Sequence, residues 1–336
     1  MTRSDRAELL RRLGATASAA LSGAPAGGGG GFSRHPNWNF AFLSHLTIDP
    51  TFVALQYGLE DACALVGCSF SWGGSARGDV DELAQAFDLA ISARADGIGV
   101  SLVNPKALDG LVERASRAGI PVIAVNARAP GDRSLALVGM NPKEAGAALG
   151  ARIVAMVGRG EVALFVGDRE VVALRPLADA VVAHVERSGS PVSVRIVSTG
   201  PDVYSELQAV YDYASANKQL RGLFALDAGS TEGLAFALDK LGPGRGRLRA
   251  GGTGVLPATL KLIADGTLDF TIDEQPYLQG FEAALQLFLA RISGGLVAPA
   301  DVRTGPIFVT KENVGRYLNT RTRYEGSSSK QKYPIS

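Results

Sequence analysis

Two short stretches decide the fold: Ala93-Arg94-Ala95-Asp96-Gly97-Ile98-Gly99-Val100, and then Ala118-Gly119-Ile120-Pro121-Val122-Ile123. Each runs from the end of a helical segment, through a small-residue turn, into a short apolar run rich in Val and Ile. Between them Asn104-Pro105 marks a helix start, and residues 106–118 read as a helix that ends just before Gly119. The pair therefore frames one strand–helix–strand unit. Strands joined by such a crossover lie parallel, and the connection is right-handed.

The same rhythm extends in both directions. Toward the N-terminus, residues 39–44 form an apolar strand, and Asp49-Pro50 opens a helix in which Phe52, Leu55, Gln56, Leu59, Ala62 and Cys63 keep helical spacing. Residues 67–71 read as a strand and 79–93 as a helix. Toward the C-terminus, strands are expected near residues 120–125, 135–139, 162–166, 192–197, 221–226, 249–251 and 268–272. Helices are expected at about 143–156, 171–187, 203–216, 230–241, 256–264 and 276–292. That many strand units exceed one comfortable doubly wound sheet. The fold class is α/β, with two doubly wound parallel-sheet lobes joined by a three-segment hinge. The expected division is residues 37–140 with 275–303 in one lobe and 141–274 with 304–320 in the other. The hinges fall near Met140-Asn141, Glu274-Gln275 and Arg303-Thr304.

Composition narrows the function. The chain has 336 residues, 46% of them hydrophobic, enough to bury sizeable cores. Its 34 Lys and Arg against 33 Asp and Glu leave a formal charge of +1, which is no footprint for nucleic acid. Three histidines and two cysteines are too few for a metal centre or a disulfide framework. Cys63 and Cys68, five apart, read as a local disulfide or as two buried thiols. Glycine is the outlier at 41 residues, much of it expected where strands meet helices. Residues 1–36 fall outside the fold. Their basic start, with Arg11-Arg12, a small-residue centre and five glycines at 27–31, resembles a degenerate twin-arginine export signal. A disordered extension or a misplaced start codon is the alternative. Residues 321–336 read as a flexible tail, and no later segment offers about 18 consecutive apolar residues for a membrane span.

Ligands on open parallel sheets bind at the carboxyl ends of the strands. In this chain those ends offer Ser44, His45, Asp49 and Phe52; Trp72 beside Gly73-Gly74; Asn126; Asp168 with Arg175; Tyr204; Asp227; Thr253; and Asp273-Glu274-Gln275. The set mixes amides, hydroxyls, carboxylates, a few guanidinium groups and flat rings. Carboxylates and amides accept hydroxyl hydrogens, Arg donates to hydroxyl oxygens, and rings cover C–H faces, so the set suits a neutral, hydroxyl-rich ligand. No nucleophile elbow, Walker loop or zinc-protease motif is present, and no cofactor or metal is called for.

On these residues the chain resembles the periplasmic sugar-binding proteins of the ribose-binding (type I) family, the soluble receptors of carbohydrate ABC transporters. The resemblance spans about residues 37–320. It is carried by the two opening stretches, by Asp49-Pro50-Thr51-Phe52, by Asp227-Ala228-Gly229-Ser230-Thr231, and by Asp273-Glu274-Gln275-Pro276-Tyr277-Leu278-Gln279-Gly280. It implies a monomeric exported protein that captures a small neutral sugar or polyol by hinge closure and passes it to a membrane permease. The ligand-binding set it implies is Asp49, Phe52, Trp72, Asn126, Arg175, Asp227, Thr253 and Glu274, with no catalytic residue. Several positions depart from the family pattern. Thr51 stands where a second stacking ring is usual, and Trp72 is the candidate to replace it. Asn126-Ala127 replaces an Asp-Arg pair, and Gly252-Thr253 a Phe-Asp pair. Arg175 matches the second-lobe arginine. These changes argue against ribose itself and favour a smaller sugar or an open-chain polyol. The alternatives are the sensing domain of a LacI-type regulator, a chemoreceptor-linked sugar sensor, or an enzyme of sugar metabolism. A regulator would need a DNA-binding module, for which residues 1–31 are too short and Gly-rich.

Overall fold

Gly97 and Gly99 stand inside a strand because phenylalanine rings occupy the space where their side chains would be. A Cβ on Gly99 would lie 2.5 Å from the ring of Phe42, and one on Gly97 would lie 3.1 Å from that of Phe40. The strand they belong to, β3 (Gly97–Leu102), pairs with β1 (Asn39–Ser44) on one side and with β4 (Val122–Arg128) on the other, all parallel. Successive residues of β1 face opposite sides, as the period of two requires. Phe40 and Phe42 pack with Leu55 and Leu59 of helix α1 (Thr51–Val66) and with Leu287 and Phe288 of α9 (Pro276–Ile292). Ala41 and Leu43 pack with Leu83 and Phe87 of α2 (Val80–Ser92) and with Leu108 and Val112 of α3 (Pro105–Arg117). The sequence places glycines at strand–helix junctions; a second group lies within strands and makes room for rings.

The structure, a computed structural model, describes residues 35–167, 172–200, 203–242, 248–318 and 322–324. The proposed export signal up to residue 34, Asp168, and the tail beyond residue 324 lie outside the described residues. The first sheet is completed by β2 (Ser69–Gly74), β5 (Leu137–Gly139) and β11 (Val302–Arg303), in the order β11-β5-β4-β3-β1-β2. The second sheet contains β6 (Gly160–Val166), β7 (Val192–Ser198), β8 (Gly222–Ala225), β9 (Arg249–Thr253), β10 (Phe270–Asp273) and β12 (Ile307–Thr310). Its order is β12-β10-β9-β8-β6-β7, with β12 antiparallel to β10. Helices α4 (Pro142–Val157) and α5 (Arg175–Arg187) cover one face of the second sheet. Helices α6 (Val203–Ala216), α7 (Ala228–Leu241) and α8 (Pro257–Asp265) cover the other.

The chain passes between the two sheets three times: from β5 to α4, from β10 to α9, and from β11 to β12. Helix α9 follows a strand of the second sheet but packs on the first, tightly against α1. A Cβ on Gly58 would lie 2.0 Å from the Tyr277 carbonyl oxygen, and one on Gly280 2.0 Å from that of Leu55. Only glycine permits this crossing. After the short helix α10 (Gly315–Leu318), Arg323 ion-pairs with Glu60 at 3.1 Å and Asp61 at 2.8 Å on α1. Its guanidinium also lies over the Tyr57 ring, 4.9 Å from the centroid.

Two local readings are corrected. Strand β2 runs on through Trp72 and Gly73 to Gly74, which pairs with Ser44, so Trp72 lies in the sheet and not beyond it. Helix α5 begins at Arg175, preceded by a 3₁₀ turn at Val172–Leu174, instead of starting four residues earlier. Cys63 and Cys68 are free thiols. Among the described residues no helix is long and apolar enough to cross a membrane.

Candidate functional site

The carboxyl ends of both sheets face one cavity of 220 Å³. The first lobe lines it with His45, Asp49, Thr51, Phe52, Val103 and Asn126. The second contributes Ala173, Leu174, Glu206, Leu226, Asp227, Thr253 and Val255, and the segment crossing to α9 adds Asp273, Glu274 and Pro276. Three larger hollows have less to offer, and the largest of them, of 720 Å³, is a surface groove between α2 and α3. Another, of 420 Å³, lies where β4 begins, at the amino end of the first sheet. The third, of 500 Å³, flanks the crossing segment beside Tyr277, Tyr317 and Tyr324. The chemistry argues for the smaller cavity, since it gathers strand-end polar groups from both lobes.

Most of the expected residues meet there. Asp49 caps the turn into α1, its Oδ1 accepting from the Thr51 N–H at 2.8 Å. Phe52, only 4% exposed, forms the floor, with the His45 ring edge-on to it at 5.8 Å. Asn126, at φ +67°, turns its amide inward and donates to Glu274 Oε2 at 3.2 Å and to Gln279 Oε1 at 3.3 Å. Asp227 caps α7, accepting from the Ser230 N–H at 2.7 Å and from the Gly167 N–H at 2.8 Å. Thr253 lies at the end of β9, its hydroxyl donating to the Ala225 carbonyl at 3.3 Å. Glu274 occupies the crossing itself, and its backbone carbonyl accepts from Thr304 Oγ1 at 2.8 Å and Gln279 Nε2 at 2.9 Å.

Two expected residues do not reach the cavity. The Arg175 side chain is 81% exposed, with Asp179 nearby at 3.9 Å. The start of α5 turns it outward, and Ala173 and Leu174 line the wall instead. Trp72 stands behind Phe52, ring centres 6.0 Å apart, with its Nε1 donating to the Thr47 carbonyl at 3.2 Å. It props the floor and the loop that carries His45 and Asp49. Tyr204 is exposed on α6, whereas Glu206, two residues on, is buried against Gly229 and lines the wall. The expected set also lacked His45, Thr51 and Asp273. Asp273 accepts from the Gln275 N–H at 2.7 Å and from the Tyr317 hydroxyl at 2.9 Å.

The electrostatics are one-sided. Asp49, Glu206, Asp227, Asp273 and Glu274 face the cavity, and no Lys or Arg is among its described lining residues. Burial pushes the Glu274 carboxyl up to about 7, against the hydrogen bond from Asn126, and nearby Asp273 and Asp49 add to the rise. Burial likewise raises Asp227, opposed by the N–H groups of Ser230 and Gly167. Burial lowers His45 to about 4, so its imidazole is neutral at physiological pH. Such a site repels anions and presents acceptors to hydroxyl groups. Among the described residues no group of His, Cys, Asp and Glu could hold a metal ion.

Residues 40–294 match the periplasmic binding protein domain family. The chain is 38% identical over 314 residues to the xylose/arabinose-binding protein XylF of Sulfolobus acidocaldarius, covering 89% of this chain and 77% of that protein. A Burkholderia graminis ABC-transporter solute-binding protein, solved with D-arabinose, superposes with a TM-score of 0.79 at 25% identity, over 86% of this chain and all of that one. An Acidothermus cellulolyticus carbohydrate transporter protein, solved with myo-inositol, shares the fold with a TM-score of 0.74 at 24% identity, covering 87% and 100% of the two chains. With most of its length matched and both parallel-sheet lobes in place, the chain belongs to the periplasmic binding protein family, in its type I form.

Proposed function

We propose that this protein is an exported solute receptor that closes on one small neutral sugar or polyol, a pentose first among them, and delivers it to the permease of an ABC transporter. The observation that carries this reading is the cavity shared between the strand ends of both lobes. It is lined by carboxylates, an amide, hydroxyls and one ring, with no described cation. Its 220 Å³ lies below the roughly 300–1,000 Å³ of sites for drug-sized ligands and suits a monosaccharide. The relatives support the pentose, since one is named for xylose and arabinose and another was solved with D-arabinose.

Each lobe supplies part of the hydrogen bonding, so the ligand stabilises the closed arrangement over the open one, and the three crossings act as the hinge. The division at residues 140–141, 274–275 and 303–304 is part of this proposal, as are a monomeric state and the twin-arginine route. Family membership implies an extracytoplasmic protein. The family is one of solute receptors rather than enzymes, and a receptor reading asks for no chemistry on the sugar.

A thermal-shift screen of pentoses, hexoses, tetritols and pentitols tests the reading. A ligand at about a hundred times its dissociation constant stabilises the folded state by about 2.7 kcal/mol. A clear shift with one or a few of these supports the proposal. No shift with any of them refutes it, and the appearance of product by NMR would point to an enzyme.

A further inference from the structure

Two polar atoms on the cleft wall have no hydrogen-bond partner among the described residues although both are shielded from solvent: Nδ1 of His45 and Oγ1 of Thr51. A buried polar group left unpaired is costly, and its neighbours usually satisfy it. Here the neighbours are engaged elsewhere. Asp49 Oδ1 takes the Thr51 backbone N–H, and the Thr47 carbonyl, four residues before Thr51, takes the Trp72 indole N–H. The His45 ring is held edge-on against Phe52. On the facing walls Asn126, Asp227 and Thr253 already hold protein partners.

We propose that His45 and Thr51 form a hydrogen-bonding subsite that reads one hydroxyl group of the bound sugar. The turn from β1 into α1 then takes a hydroxyl edge of the ligand where a stacking ring would have covered a C–H face. A neutral imidazole offers one donor and one acceptor, and a threonine hydroxyl offers either, so the pair can accept from and donate to the same hydroxyl. The ligand class narrows to sugars or polyols bearing a free hydroxyl at that edge, and a deoxy analogue lacking it leaves both atoms unpaired and is rejected. This inference rests on the sugar-receptor reading.

The test titrates D-xylose, D-arabinose and L-arabinose, and the monodeoxy derivatives of whichever binds, into the wild-type protein and the Thr51→Val, Thr51→Ser and His45→Phe variants. Thr51→Val should raise the dissociation constant about tenfold or more, and Thr51→Ser should stay within about threefold of wild type. One monodeoxy sugar should bind wild type about tenfold more weakly than its parent and bind Thr51→Val as well as the parent does. Without ligand, Thr51→Val should melt no lower than wild type, because it removes an unpaired polar atom; a lower melting temperature would show that the hydroxyl serves the fold. Wild-type affinity in both Thr51→Val and His45→Phe, or equal losses for every deoxy sugar in all proteins, overturns the subsite while leaving the receptor standing. If wild type binds none of these three nor any other sugar or polyol of the thermal-shift screen, the receptor reading fails and the subsite falls with it.

Discussion

Replacing Glu274 by Gln should remove a pH dependence of stability that the wild-type protein carries. The carboxyl lies at the crossing into α9, accepts one hydrogen bond from Asn126, and has Asp273 and Asp49 as nearby like charges. Burial outweighs that hydrogen bond and pushes the carboxyl from 4.5 to about 7. Because the folded state holds the proton more tightly than the unfolded state, this carboxyl's contribution is fully present below about pH 4.5 and is lost as pH rises through about 7. At 1.36 kcal/mol per pH unit, the loss is about 3 kcal/mol at most. Glutamine keeps the shape and does not titrate. Urea unfolding of both proteins at several values between about pH 5 and pH 8 gives the difference directly. Wild type should weaken relative to Glu274→Gln from about pH 5 up to about pH 7 and level off above it. Asp227, raised in the same direction, is present in both proteins and cancels. A difference that stays flat, or one in which wild type gains with pH, would refute the reasoning.

Further outcomes follow from the same geometry. Gly280→Ala would place a Cβ 2.0 Å from the Leu55 backbone carbonyl, which cannot yield, and should cost about 3 kcal/mol or more by urea denaturation. Arg175→Ala should leave sugar affinity unchanged in a calorimetric titration, because the side chain is exposed; a loss above about threefold would bring that arginine back into the site.

Much of this fold is written in residues whose role is local. The strands around Gly97 and Val122, and the caps at Asp49 and Asp227, follow from turn chemistry and short apolar runs. Trp72 was misplaced because Ser71 and Gly73-Gly74 read as loop residues, whereas β2 is an edge strand with a partly open face, which tolerates both. Arg175 is named from the family match and from its place on an otherwise apolar helix; in the structure it opens α5 with its side chain exposed, and no apolar pattern marks the 3₁₀ turn ahead of it. Glu206 is hidden two residues beyond the conspicuous Tyr204 at the start of α6. The sequence singles out the positions of His45 and Thr51 but not their unpaired atoms, because these depend on what their neighbours already bind across the loop and sheet.

The central claim is that the shared cavity binds one small neutral sugar. Isothermal titration of the purified protein with D-xylose, D-arabinose and L-arabinose, repeated with Asp227→Ala, tests it most directly. The account predicts saturable binding of at least one of these at one sugar per chain, lost or strongly weakened in Asp227→Ala while the variant stays folded. Binding that survives unchanged in Asp227→Ala would place the site elsewhere, and the absence of heat with these three and with every other sugar or polyol of the thermal-shift screen would contradict the account.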